Sequence, residues 1–173
     1  MRKTNKIVSF ILSLILAISI IPVTVSAASS GTCGENLTWT FNGTTRILTV
    51  SGTGEMLDYI TPIDNNESPW GSYRQLIETV NVTNGVTYIG GHAFKALYKV
   101  VEVSLPNSLV KIGEEAFLGC KRMKTVEIPD GVEIIGDKAF YECARLTDIT
   151  VPTSIKKIGV RAFDPRITIT YKG

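Results

Sequence analysis

The chain has 173 residues, of which 20% are charged and 8% aromatic, and its formal net charge is +2. This is the composition of an ordinary soluble protein and favours one globular or elongated domain. Three cysteines in a chain of this length exclude a small domain that is held together mainly by disulfides.

Residues 1–27 are predicted to be a secretory signal peptide. Three basic residues precede an apolar run over residues 7–21, and Ser26 and Ala27 belong to a small-residue cleavage pattern. An uncleaved membrane anchor is the weaker alternative, because Pro22 breaks the run. Residues 1–27 hold three of the 18 basic side chains and none of the 16 acidic ones, so cleavage changes the net charge from +2 to −1. We therefore expect neither nucleic acid nor, after cleavage, a membrane as a partner.

Residues 28–76 are predicted to form a β-hairpin cap followed by a loop. Apolar and polar residues alternate over residues 37–41 and 46–51, and Asn42-Gly43 between them is a hairpin signal. The hairpin is expected to cover the exposed edge of the structure that follows. In the loop, Trp70 is either a packing anchor or an aromatic binding residue, and packing is favoured because Trp is usually largely buried.

Residues 77–173 contain an internal repeat with a period of 23 residues. Each unit reads as a strand, a stop, an apolar position, Ile-Gly, two variable residues and Ala-Phe. The rings that mark the four units are Phe94, Phe117, Phe140 and Phe163. A unit of this length cannot bury its own apolar face, so the repeat predicts stacked coils with the rings in one column. The last segment, residues 164–173, departs from the pattern and is predicted to be a closing strand.

The conserved spacing within the chain leads to three smaller predictions. The repeated glycine is expected where a side chain would clash or where φ is positive. The two variable residues are expected to face solvent, so His92, Glu115, Lys138 and Arg161 are predicted to be exposed. Cys120 and Cys143 occupy equivalent inward positions in adjacent coils and are predicted to be buried free thiols rather than a disulfide.

The outward strand positions are the candidate binding residues, because they are the part of each unit that packing does not constrain. They are Thr79, Asn81, Glu102, Ser104, Thr125, Glu127, Asp148 and Thr150. Glu102, Glu127 and Asp148 are also candidates for the two carboxylates of a glycosidase, but an open sheet face gives no enclosure to raise the pKa of one carboxyl. With a single histidine the chain also lacks a paired-His metal site. We predict no catalytic residues, no metal and no cofactor.

The order of strand, Pro, Ile-Gly-x-x-Ala-Phe, Cys and Leu resembles the BspA-type leucine-rich repeat. The resemblance covers Ile77 to about Phe163, and the preceding "GTCGENLTWTFNGTTRILTVSGTGEMLDY" is similar to the segment before such repeats in secreted Firmicutes proteins. It implies a mainly β leucine-rich repeat solenoid of about four coils with short helical turns and an N-terminal hairpin cap.

The resemblance also implies a function, because BspA-like proteins are associated with adhesion. The expected protein is secreted or cell-surface-associated and binds proteins of the host surface, the extracellular matrix or the bacterial envelope through its strand face. The alternative is a structural envelope component that assembles end to end with other repeat proteins.

Overall fold

The computed structural model describes residues 29–59 and 67–173, so the predicted signal peptide lies outside the described residues. Within these ranges the chain is mainly β-structure, with one short 3-10 helix at Gly71–Tyr73. The strands in chain order are β1 (Ser29–Gly34), β2 (Leu37–Asn42), β3 (Ile47–Gly52), β4 (Gly54–Glu55), β5 (Thr79–Val82), β6 (Val86–Ile89), β7 (Glu102–Ser104), β8 (Lys111–Ile112), β9 (Thr125–Val126), β10 (Ile134–Ile135), β11 (Asp148–Val151), β12 (Lys157–Ile158) and β13 (Thr168–Tyr171).

The strands build a solenoid in which each coil contributes to two stacks. The first sheet has the order β1-β2-β3-β5-β7-β9, and the second has the order β12-β10-β8-β6-β4. Neighbouring coils pair in parallel, with Val80 opposite Val103 and Val103 opposite Val126. The mainly β solenoid of about four 23-residue coils predicted from the sequence is confirmed.

The second sheet was not predicted. Its strands in the later coils, such as Lys111–Ile112 and Ile134–Ile135, are two residues long. A strand of two residues is too short to show the alternation that identifies a strand in a sequence. The pairing of Ile112 with Ile135 nevertheless continues from coil to coil and closes the side of the core opposite the first sheet.

The core is centred on a column of aromatic rings. The Phe94, Phe117 and Phe140 rings are fully buried, and successive centroids are 5.2 Å apart. Phe163 continues the column at 5.7 Å, and Trp70 precedes it at 5.3 Å from Phe94. The spacing is close to the strand separation of about 4.8 Å, because each ring belongs to one coil.

Trp70 is the packing anchor that the sequence analysis favours. Its side chain is fully buried, and its indole N–H donates to the Ala93 carbonyl oxygen over 2.8 Å. In the repeats the equivalent bond comes from the backbone, since the Phe94 amide donates to the Ala116 carbonyl. Trp70 therefore supplies the aromatic ring and the hydrogen-bond donor that a coil before the first repeat would supply.

The repeated glycine is required by a clash and not by a positive φ. A Cβ atom on Gly113 would lie 2.6 Å from the Gly91 amide nitrogen, and one on Gly136 would lie 2.5 Å from that of Glu114. Rigid backbone cannot move away from such a contact, so only glycine fits where successive corners stack. Positive φ occurs two residues later instead, at His92, Glu115, Lys138 and Arg161, with values of 51–58°.

The two ends of the solenoid have different structures. At the N-terminal end, β2 and β3 form the predicted antiparallel hairpin, and β3 pairs in parallel with β5 of the first coil. The hairpin turn covers Gly43–Arg46, where the Arg46 amide donates to the Asn42 carbonyl. β1, which the sequence analysis did not identify, adds an edge strand outside β2. At the other end, the segment predicted to be a closing strand contains β13, which pairs in parallel with β11.

Candidate binding face

The outward side chains of the first sheet stack in columns. In one column Ile47, Thr79, Glu102 and Thr125 occupy successive strands, because the ladders place each residue opposite the next. Side chains alternate between the two sides of a strand, so Val80, Val103 and Val126 of the same strands fill the core. In the repeat coils, the polar residues Thr79, Glu102 and Thr125 therefore form an outward column behind a buried column of valines.

Most of the predicted binding residues are exposed in the structure. Glu102, Ser104, Thr125 and Glu127 are exposed, whereas Thr79 and Asn81 are half-buried. Glu127 lies just beyond the end of β9. None of these six side chains takes part in a hydrogen bond or ion pair between described residues, so none is needed to hold the fold.

An open groove of about 650 Å³ brings four of these residues together. Glu102, Ser104, Thr125 and Glu127 line it. Asp130 and Lys172 line it as well, and the Lys172 ammonium forms an ion pair with the Asp130 carboxylate. Neither of these two residues was identified from the sequence. Lys172 directly follows β13 and is 42 positions along the chain from Asp130, so the pairing of β13 with β11 places it there.

Asp148 and Thr150 lie on a separate part of the face. Their strand, β11, is adjacent to β9 but pairs only with β13 in a two-stranded sheet. Both side chains are exposed, and the Thr147 hydroxyl donates to the Asp148 carboxylate over 2.6 Å. The eight predicted residues therefore follow the coils in order, with a break in the strand pairing between β9 and β11.

A second polar cluster was missed, because Glu115 is buried and the prediction that it faces solvent is wrong. Only 8% of the residue is exposed. Its carboxylate lies 2.7 Å from the Lys95 ammonium, 3.2 Å from that of Lys138 and 3.3 Å from His92 Nδ1. Of the equivalent residues, His92 and Lys138 are partly buried and Arg161 is exposed. The sequence does contain a signal for this cluster. At the 23-residue spacing, the acidic Glu115 lies between the basic residues His92 and Lys138 of the two adjacent coils.

The three basic groups determine the protonation of Glu115. Burial alone would raise the pKa of this carboxyl, but the hydrogen bonds from Lys95 and Lys138 and the charges of Lys95 and His92 outweigh that effect. The pKa of Glu115 is therefore lower than its usual value. An ionised carboxylate joining three coils is a structural arrangement, since all of its neighbours are already engaged with it.

Asp58 and Tyr88 form a comparable structural pair at the N-terminal end of the second sheet. The Tyr88 hydroxyl and the Gly91 amide donate to the Asp58 carboxylate over 2.5 and 2.6 Å. Asp137 accepts in the same way from the Val160 amide over 2.8 Å. Burial, together with the hydrogen bond to Asp58, raises the pKa of Tyr88. Asp58 thus acts as the equivalent of a corner residue from a preceding coil.

The cysteines are free and buried, as predicted for Cys120 and Cys143. Each of these two thiols donates to a carbonyl of the preceding coil, from Cys120 to Phe94 over 3.2 Å and from Cys143 to Phe117 over 3.3 Å. Burial raises the pKa of Cys143 to about 12. A thiol that stays protonated at neutral pH is a poor nucleophile, so these residues serve the core.

Two properties of the described residues bear on other classes of function. In residues 29–59 and 67–173, no group of three or more His, Cys, Asp or Glu side chains is placed to hold a metal ion. The same part of the chain contains no helix that is long and apolar enough to span a membrane.

Comparison with known protein families decides the classification. The model of the BspA type leucine rich repeat region matches residues 72–171, with six copies. The chain belongs to the BspA-type leucine-rich repeat family. The match begins in the loop that follows the hairpin cap and ends in β13. A comparison with curated protein sequences finds no match.

Solved structures of other leucine-rich repeat proteins share the fold. A leucine-rich repeat protein from Eubacterium ventriosum is 26% identical with a TM-score of 0.66, over 86% of this chain and 41% of that protein. The T. pallidum leucine-rich repeat protein is 21% identical with a TM-score of 0.57, over 74% of this chain and 64% of that one. A leucine rich cell surface protein from Faecalibacterium prausnitzii is 16% identical with a TM-score of 0.53, over 85% and 52%. This BspA-type chain therefore spans about two fifths to two thirds of the length of these proteins.

Proposed function

We propose that this BspA-type chain is an exported, cell-surface-associated and non-catalytic module that binds other proteins through the strand face. The observation that carries the proposal is the groove lined by Glu102, Ser104, Thr125 and Glu127. These four side chains are exposed and form no hydrogen bond or ion pair with another described residue, and they lie on a scaffold whose repeated residues are used in packing. Repeat proteins use extended faces of this kind to bind macromolecules.

Export and surface association are supported from two directions. The sequence begins with the pattern of a secretory signal peptide. The Faecalibacterium prausnitzii protein that shares the fold is described as a cell surface protein. The partner class follows from the same setting and comprises proteins of the host surface, the extracellular matrix or the producing cell's envelope.

We propose a non-catalytic role because the carboxyl groups of Glu115 and Asp58, whose pKa values are shifted, have structural partners. Glu115 is held by Lys95 and Lys138, and Asp58 is held by Tyr88. A catalytic carboxyl would be expected in an enclosed cleft where its protonation is tuned for reaction. Glu102 and Glu127 instead line an open groove.

A capture experiment tests the binding face. The exported protein, with a triple variant in which Glu102, Glu127 and Asp148 are changed to Ala, is used to capture proteins from host extracellular material and from the producing cell's envelope. The matched control changes Glu35, Glu55 and Glu114 to Ala, because these exposed carboxylates lie off the face and their loss alters the net charge equally. Capture that is lost only in the first variant supports the proposal.

Two other results would count against the face. If both triple variants lose capture equally, the interaction depends on net charge and not on these positions. If only envelope components are captured and neither variant changes the result, the structural envelope role replaces protein binding through this face.

A further inference from the structure

The solenoid has one sealed end and one open end. At the N-terminal end, backbone amides of Gly54, Met56 and Tyr59 donate to carbonyls of the first repeat, and Trp70 completes the ring column. These residues supply the bonds that a preceding coil would make. The core-facing side chains of the hairpin, Leu37, Trp39, Phe41, Leu48 and Val50, are at most 5% exposed.

At the opposite end, positions that are internal elsewhere in the solenoid are exposed. Ile158 is equivalent to the fully buried Ile135, yet it is 36% exposed. On β13, Ile169 and Tyr171 face the same side as the buried Ile149 and Val151, yet they are 37% and 64% exposed. This end is therefore a cross-section of the core that no described residue covers.

The backbone at this end is also unpaired. The amides of Phe94, Phe117 and Phe140 each donate to the next coil, but no described carbonyl accepts from the amide of Phe163. The Thr168 amide donates to Thr147, just before β11, and the Lys172 amide, just after β13, donates to Val151 of β11. Since alternate residues of a parallel strand bond to the same neighbour, the backbone groups of Ile169 and Tyr171 point away from β11.

We propose that two copies of the chain associate through these open ends, with β13 of one copy antiparallel to β13 of the other. A two-fold axis beside Thr170 places Ile169 of each copy opposite Tyr171 of the second copy. Both residues have outward N–H and C=O groups, so this register forms two hydrogen-bonded pairs with four backbone bonds. It also brings a β-branched side chain against an aromatic one on the core side of both strands, a favourable cross-strand pair.

The sequence of the strand favours this partner. Thr168–Tyr171 contains β-branched and aromatic residues, all four exposed, with no charge or proline to block edge pairing. The same two-fold axis places Lys172 of the second copy opposite Thr168, which is itself opposite Asp148. Two strand spacings separate Lys172 from that Asp148, about 10 Å between Cα atoms, which the two side chains can bridge on the outward face. The charges at the interface are therefore complementary.

Lys172 must leave Asp130 to make this contact. That pair is exposed, with 74% of the Asp130 side chain accessible. Exposed ion pairs contribute little to stability, so exchanging one carboxylate partner for another has a small cost.

The test is the association state of the exported protein by sedimentation velocity from roughly 1 to 100 μM, the range in which a micromolar dimer dissociates. We expect a concentration-dependent dimer. Ile169→Pro removes an outward N–H without removing a bond to β11, and it should weaken dimerisation at least about tenfold. Lys172→Glu should also weaken it, because the new carboxylate meets Asp148 of the second copy.

The charge reversal supplies the specific control. Asp148 and Lys172 are not in contact within one copy, so adding Asp148→Lys to Lys172→Glu should restore the dimer only if they meet between copies. If Ile169→Pro fails to fold, as judged by circular dichroism, the charge pair decides alone. A monomer at every concentration, or a dimer that neither Lys172→Glu nor a folded Ile169→Pro weakens, would overturn the proposal.

Discussion

Individual side chains in this protein make the hydrogen bonds that a coil before the first repeat would make. The Trp70 indole donates to Ala93 as the amide of a preceding Phe would, and the Asp58 carboxylate accepts from Gly91 as Asp137 does from Val160. These residues occur once each and match no position of the repeat. Their roles are visible only after the first coil has been placed, because each satisfies a group that the repeat itself would leave unpaired.

At the same scale, Glu115 makes the stability of the protein depend on pH. Its pKa in the folded protein is lower than in the unfolded chain. Its stabilising contribution is therefore complete above the unfolded value of about 4.3 and is lost as the pH falls through the lowered folded value. We expect Glu115→Gln to lower the free energy of unfolding at pH 7 by about 1.5–3 kcal/mol, the usual range for hydrogen bonds to a charged group.

Urea unfolding of the wild type and Glu115→Gln between pH 7 and pH 3 checks this prediction. The difference between the two proteins should shrink as the pH falls below the unfolded value. Repeating the pair in a His92→Gln background separates the carboxylate from the imidazole that faces it 3.3 Å away. A difference that stays constant with pH would show that Glu115 acts by packing alone.

At the scale of the element, the ring column is the part of the core that joins all coils. Phe117 is stacked between Phe94 and Phe140 and is fully buried, whereas Phe163 is the last ring and is 9% exposed. A central ring contacts coils on both sides. Its loss therefore leaves a cavity that the surrounding strands cannot close, while a cavity at the end of the column is open to water.

This difference predicts that truncating a central ring costs more stability than truncating the last ring of the column. Phe117→Ala should lower the free energy of unfolding by about 3–5 kcal/mol, from lost burial and an unfilled cavity. Phe163→Ala makes the same chemical change at the exposed end and should cost clearly less. Equilibrium unfolding in urea measures both, and equal costs would mean that the column does not act as a continuous element.

At the scale of the whole molecule, the sealed and open ends make stability unequal along the solenoid. The Lys124 and Thr168 amides make equivalent bonds, each to a carbonyl of the preceding coil, at 3.1 and 2.8 Å. Lys124 lies in a central coil, but Thr168 lies in the last strand. Terminal elements with few neighbours open locally at a lower free energy than the core does.

Hydrogen exchange in dilute, monomeric solution measures this gradient. The Lys124 amide should exchange at least about tenfold more slowly than that of Thr168, which corresponds to 1.4 kcal/mol in opening free energy. The comparison is matched because the acceptors of the two bonds, Val101 and Thr147, occupy equivalent positions of the repeat. Equal protection would indicate that the solenoid opens as one cooperative unit.

The sequence by itself determined the solenoid, because the 23-residue spacing of Phe94, Phe117, Phe140 and Phe163 has no other simple packing solution. It also determined which residues face outward, since alternation along a strand assigns Glu102 and Thr125 to the side opposite the core. Whether those outward residues bind a partner stays a prediction.

Only the tertiary structure decided the features that depend on contacts between different coils or across the ends. It showed the second sheet, the burial of Glu115 among basic groups of neighbouring coils, and Lys172 beside Asp130 in the groove. It also showed that one end is sealed and the other open. The physical reason is that a repeat in sequence records what every coil shares, whereas charge pairing, caps and grooves arise from single residues whose neighbours are set by stacking.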